Sequence, residues 1–319
     1  MKTLTIFLHS LSGVIVILVM IVLAWALTRK GWFSEDYAKI TARLVTQVAL
    51  PAYMVVTISG QFHKQQLLSL LPDLRFPLIS MLVLFALSFP LAHVFRVQAQ
   101  HHGLWRSMFF NSNTVFIGLP INMALFGSRS LPDVLVYYMA NTFLFWTLGV
   151  YLIKRDGLGE DAHFSLWGAL KKLFSPPLLG FILGVILVLL EWHLPQWLMS
   201  DLSYVGGLTI PLSMFFIGMT LGRFHLSQLR ASWDMLGILA GRFLFAPALM
   251  FLLVAPIQAP LLLKQVFVLQ SAMPVMTNAP VVAKLYGADA DYAALMVTVS
   301  TLLSMLVIPI LMVIVQQMH

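Results

Sequence analysis

Apolar residues run through this chain in blocks of about twenty, the length that crosses the hydrocarbon core of a bilayer, with short polar gaps between them. Ten such blocks fall at 5–27, 40–59, 76–95, 106–126 and 132–153, then at 176–192, 202–221, 233–254, 262–285 and 291–315. Each reads as a membrane-spanning helix, because in lipid the backbone must satisfy its own polar groups. The pattern predicts an all-α polytopic membrane protein with ten transmembrane helices. Its longest polar gap, 154–175, falls at the midpoint of the chain.

Two blocks are poorly built for helix. Asn111 to Gly127 carries three asparagines, Gly118 and the mid-segment Pro120, and Gln270 to Gly287 carries Pro274 and Pro280. Irregular backbone at membrane depth persists only where it lines a cavity or is buried in protein. A pair of broken segments in matching positions of two halves points to a transporter's binding site. Polar side chains cluster with the prolines: Asn111, Ser112, Asn113, Thr114 and Asn122 in one block, Gln270, Ser271, Thr277 and Asn278 in the other. Interhelical glue accounts for one or two such residues in a span, and this density favours a ligand-facing role. Pro51 and Pro211 lack that company and read as kinks.

The halves overlay without gaps at one offset, 160 residues. Pro51 falls on Pro211, Met54 on Met214, Pro120 on Pro280 and Gly127 on Gly287. The expected organisation is therefore a five-helix repeat over 1–153, a cytoplasmic linker over 154–175 and a second repeat over 176–319. Five spans is an odd number, so the second repeat enters from the opposite face and is inverted.

Composition agrees with a membrane protein: 60% of residues are hydrophobic and 10% charged, against about 25% charged in soluble domains. The net charge of +7 does not signal nucleic acid, since the basic residues lie in the gaps rather than on one helix face. Loops on one side carry twelve lysines and arginines and those on the other five. Positive charge stays inside, which places both termini outside the cytoplasm; the expected location is the cytoplasmic (inner) membrane. No cleavage pattern follows the first apolar run, so it is expected to remain as a span.

Chemistry is limited by what the spans lack. There is no cysteine, hence no disulfide or thiolate metal site. Asp and Glu fall in loops or at interfaces, which disfavours a proton–cation antiporter, and the nine histidines show no helical pairing with a carboxylate. No enzyme, no metal site and no cofactor is expected. Arg242 lies about ten residues inside its span; it either faces a site or holds carbonyls of a broken helix. A receptor or sensor is the alternative from another class, but no soluble signalling domain is present.

Ser112-Asn113-Thr114-Val115-Phe116-Ile117-Gly118-Leu119-Pro120 and Leu125-Phe126-Gly127 resemble the auxin efflux carrier family, bacterial relatives of the plant PIN-formed auxin carriers and of malate or malonate permeases. So do Met273-Pro274 with Asn278-Ala279-Pro280 to Gly287, Leu50-Pro51-Ala52, and Ser300 to Ser304 with Ile308-Pro309. The resemblance covers the whole chain. It implies a scaffold domain and a transport domain like those of bile-acid symporters and sodium–proton antiporters, with helices 4 and 9 broken and crossed around an anionic substrate. Carried over by motif, Asn113 and Pro274 fall at that crossing. Plant carriers have a proline where this chain has Ser112, and their long regulatory loop is here reduced to about twenty residues.

The expected function is a permease carrying a small organic anion such as malate, malonate or an auxin-like acid by alternating access. A sodium- or proton-coupled symporter of the same fold is the alternative. Candidate substrate-binding residues are Asn111, Asn113, Thr114, Gly118, Pro120, Ser271, Pro274, Thr277, Asn278, Pro280 and Arg242. Expected partners are the anion and the lipid bilayer, with no nucleic acid; a homodimer is left open.

Overall fold

The computed structural model describes residues 18–65, 70–159, 176–223 and 232–316. The start of the first expected span and most of the expected linker 154–175 lie outside the described residues. Those that are described form helices in the order α1 (Leu18–Arg29), α2 (Glu35–Leu44), α3 (Leu50–Gln61), α4 (Arg75–Val94), α5 (His102–Phe110), α6 (Leu119–Phe126), α7 (Leu131–Leu144) and α8 (Val150–Leu158). They continue with α9 (Pro176–Leu189), α10 (Gln196–Gly207), α11 (Thr209–Arg223), α12 (Trp233–Ala240), α13 (Ala246–Val254), α14 (Leu261–Ser271), α15 (Ala279–Tyr286) and α16 (Ala290–Gln316). There is no strand among the described residues beyond one isolated bridge. Six continuous helices are long and apolar enough to cross a membrane, and shorter apolar helices accompany them.

Single π turns explain several joins. Val45–Ala49, Thr114–Gly118 and Gly241–Phe245 each end two residues before a proline, Pro51, Pro120 and Pro247. A proline offers no N–H to the carbonyl four residues back and its ring crowds that carbonyl. A wider turn relieves the crowding. Leu50 N–H accordingly reaches Val45 O, and Ala246 N–H reaches Gly241 O, each five residues back. Before Pro51, the position of the expected kink, the structure has this π turn inside one continuous helix, Asp36–Gly60. Near Pro211 the helix instead steps at Leu208, between α10 and α11.

The helices extend past several expected spans. α10 starts at Gln196 rather than 202 and α2 at Glu35 rather than 40. Residues such as Ser200, Asp201, Lys39 and Thr41 lower the hydropathy at these ends without opposing helix formation. Exposed tryptophans, Trp32, Trp192, Trp197 and Trp233, stand at or just beyond helix ends, as in the aromatic belts of membrane interfaces.

Two compact units are present, and each draws on both halves of the chain. One comprises the described parts of Ile15–Pro72 and Lys171–Phe224, the other those of Asp73–Leu170 and His225–His319. In the first, α9 lies so close to α3 that a Cβ on Gly180 would sit 2.5 Å from Pro51 O. Small residues at helix interfaces permit such backbone approach. In the second, a Cβ on Gly103 would sit 2.0 Å from Leu152 O. That approach lets the Asp156 carboxylate accept from Gly103 N–H at 2.8 Å and Leu104 N–H at 2.7 Å, satisfying two of the free donors at the start of α5.

Helix ends recur 160 residues apart. α1 and α9 end at 29 and 189, α4 and α13 at 94 and 254, and α6 and α15 at 126 and 286. Positive φ follows the same spacing, at Gly31 (81°) and Glu191 (54°), and at Gly127 (70°) and Gly287 (76°).

Candidate functional site

Both broken segments belong to the second unit, and they meet. Asn111 closes α5, its N–H donating to Ser107 O at 3.1 Å, and its backbone then turns extended. Asparagine side chains compete with the helix ladder for backbone partners. The chain stays open through Asn113 and resumes in the π turn that leads into α6. In the other segment α14 ends at Ser271, Pro274 removes a donor, and α15 starts only at Ala279. The 262–285 block is therefore two helices with an unwound stretch between them, as its composition led one to expect.

The unwound pieces satisfy each other. Ser112 and Val275 form an antiparallel bridge, and Asn113 N–H donates to Pro274 O at 2.8 Å. The outer edge of Ser112 is clamped by Asn141 of α7, whose Oδ1 accepts from Ser112 N–H and whose Nδ2 donates to Ser112 O, both at 2.9 Å. Ser300 of α16 accepts from Val275 N–H at 3.1 Å. Gln270 donates from Nε2 to Thr114 O at 3.4 Å, and its amide lies where a Cβ on Gly118 would be, 2.2 Å from Oε1. A side chain at Gly118 would have to displace that amide.

Arg242 sits in the π turn Gly241–Phe245 with no exposed surface. Its Nε donates to Met273 O at 3.1 Å, Nη1 to Phe109 O at 3.0 Å, and Nη2 to Ser271 O. The Tyr137 hydroxyl lies beside the guanidinium and Ser112. Of the two roles read from sequence, the structure displays the holding of carbonyls.

Most other candidates gather here. Asn111, Asn113, Thr114, Gly118, Pro120, Ser271 and Pro274 are buried; Thr277, Asn278 and Pro280 are half-buried where α15 begins. Asn113 Oδ1 accepts from Phe116 N–H at 3.1 Å and caps the resumed helix, while its Nδ2 donor is buried with no partner. Asn111 Nδ2 donates to Ser107 O at 3.1 Å, and its Oδ1 is likewise buried and unpartnered, as is Gln270 Oε1. Buried amides are nearly always satisfied in a folded protein; these three amide atoms have no partner, as is true of several buried polar atoms elsewhere among the described residues. Ser271 uses its hydroxyl on Val268 O at 2.7 Å.

Sequence reasoning missed Asn141 and the role of Ser300. The signal for Asn141 is one amide inside an otherwise apolar span. Asp133, expected at an interface, is buried in the first turn of α7 at 7% exposure. At the end of the unit where α5 begins, His101 Nε2 lies 3.0 Å from Asp289 Oδ2, a pairing of residues 188 apart that no local pattern announces. Burial alone would raise the Asp289 carboxyl, but the Tyr292 N–H and His101 more than offset it and hold it below the ordinary carboxylate value.

The crossing brings together two helix C-termini, of α5 and α14, and two N-termini, of the π-started α6 and of α15. A profile of the family described as membrane transport protein matches residues 9–312. The chain is 29% identical over 304 residues to an uncharacterised transporter of Methanocaldococcus jannaschii, covering 92% of this chain and 95% of the relative. It is also 29% identical over 318 residues to an uncharacterised transporter of Methanothermobacter thermautotrophicus, covering 96% and 98%. A family match across nearly the whole chain, on a helical fold with apolar membrane-length segments, means that the chain belongs to the membrane transport protein family, the auxin efflux carrier family that its sequence resembles.

Proposed function

We propose that this membrane transporter carries a small organic anion, a carboxylate such as malate, malonate or an auxin-like acid, bound at the crossing of its two broken helices. The observation that carries the reading is the unpartnered Asn113 Nδ2 donor, buried beside the start of the resumed helix. Helix N-termini hold partial positive charge and free N–H groups that suit a carboxylate. A neutral amide adds a donor without a buried charge. Asn111, Thr114, Gly118, Pro120, Ser271, Pro274, Thr277, Asn278 and Pro280 form the surroundings of the anion in this reading.

The unit with the crossing acts as the transport domain, the other as the scaffold, and the ten segments form two inverted repeats. Helix ends spaced 160 residues apart support that arrangement. The protein lies in the cytoplasmic membrane with both termini outside the cytoplasm. Uptake of labelled mono- and dicarboxylates into proteoliposomes, against amines and neutral solutes of similar size, tests the substrate class. Acids should enter faster than empty-liposome leakage; carriage of amines or neutral solutes but no acid refutes the reading.

A further inference from the structure

We infer that Arg242 is a resident cation: its guanidinium permanently fills the place at the crossing where a coupling sodium ion would bind, so the crossing itself takes no sodium. In transporters with broken helices, unwound carbonyls and half-helix C-termini are the groups that coordinate sodium. Here those groups are already used. Phe109 O belongs to the C-terminus of α5, Ser271 O to the C-terminus of α14 and Met273 O to the unwound stretch, and all three accept from Arg242.

The charge balance points the same way. Each helix C-terminus carries roughly half a negative charge, so two of them match one guanidinium and leave little potential to draw a second cation. No ion pair joins Arg242 to a carboxylate among the described residues, so the carbonyls are its counter-charge. Arginine does not release its proton in proteins, and the site is therefore filled at every physiological pH. The resumed helix is capped by a neutral amide oxygen, Asn113 Oδ1 on Phe116 N–H, which leaves the partial positive charge of that N-terminus in place and favours a negative ligand.

The local sequence is built to deliver the charge. Pro247 widens the preceding turn, and Gly241 lets that turn seat on Phe109, where a Cβ would come within 2.4 Å of the ring. Arg242 is thereby held next to the carbonyl of the same phenylalanine. The inference concerns coupling rather than the transported solute. Its test needs no substrate, so its failure and that of the organic-anion reading are distinguishable.

The experiment measures the thermal midpoint of the purified full-length protein in sodium chloride and in choline chloride at equal ionic strength. The midpoints should coincide; a saturable, sodium-specific rise overturns the inference. Arg242→Ala empties the position, and its lowered midpoint should rise with millimolar guanidinium or sodium but not with choline, a cation-specific rescue that lost packing alone would not give. Indifference of this variant to both cations overturns the inference too. If Arg242→Ala cannot be purified, Arg242→Lys restores the charge with a poorer fork, and its midpoint should be lower than that of the natural protein yet insensitive to sodium; sodium dependence there counts against the proposal.

Discussion

Replacing Asn141 by leucine tests whether the unwound segments are held open by a side chain from a third helix. Asn141 is fully buried and makes two 2.9 Å bonds to the backbone of Ser112. Ser112 O has a second partner in Thr114 N–H at 3.0 Å, so the group left without a partner is the Ser112 N–H. An orphaned buried donor costs about 1–3 kcal/mol, and the lost bond itself about 1 kcal/mol. Leucine has the same four branched side-chain heavy atoms and is the bulkier residue, so no cavity adds to this. The expected loss is about 2–4 kcal/mol, a factor of roughly thirty to a thousand in the folded-to-unfolded ratio. Interhelical side-chain bonds in membranes average only about 0.6 kcal/mol because the alternatives also find partners. Here the partner is backbone held out of its own helix, which is why the larger figure applies. Thermal midpoint in detergent and uptake in proteoliposomes should both fall. Ser112→Pro supplies the internal control, since proline has no N–H to satisfy; in that background the cost of Asn141→Leu should shrink by about 1–3 kcal/mol. Natural stability and uptake in Asn141→Leu, or strict additivity in the double variant, would refute the clamp.

Asn113→Asp keeps the acceptor that caps Phe116 N–H but removes the open amide donor and adds negative charge, so uptake of acids should fall more than tenfold while Asn113→Ala loses also about 1 kcal/mol of capping; unchanged acid uptake in Asn113→Asp would move the site elsewhere. Gly118→Ala should displace the Gln270 amide and lower uptake with only a modest fall in midpoint, and Gln270→Ala should relieve the clash; a double variant no better than Gly118→Ala contradicts the packing described. Asp289 has a carboxyl held below its ordinary value, so its contribution is full above an unfolded value of about 4 and is lost as pH falls through the folded one. Asp289→Asn should accordingly narrow the gap in thermal midpoint between neutral and strongly acidic pH, and an unaltered gap would show that the His101–Asp289 contact adds nothing.

The sequence by itself determined where helices form and where they fail. Apolar blocks of membrane length have only one way to satisfy their backbone in lipid, and the failures at Asn111–Asn113 and around Pro274 are local chemistry: amides that compete for the backbone and a proline that cannot donate. Gly127 and Gly287, spaced like the prolines before them, likewise end their helices with the positive φ that glycine adopts freely. Only the tertiary structure decided what the broken segments meet. No periodicity announces that Asn141 faces Ser112, that His101 meets Asp289, or which carbonyls take the Arg242 charge, because each contact joins segments 29 to 188 residues apart whose approach is set by packing. The compact units show the same divide: each is assembled from both sequence halves. A chain order can reveal repeated helix ends, but burial of specific side chains selects the neighbours.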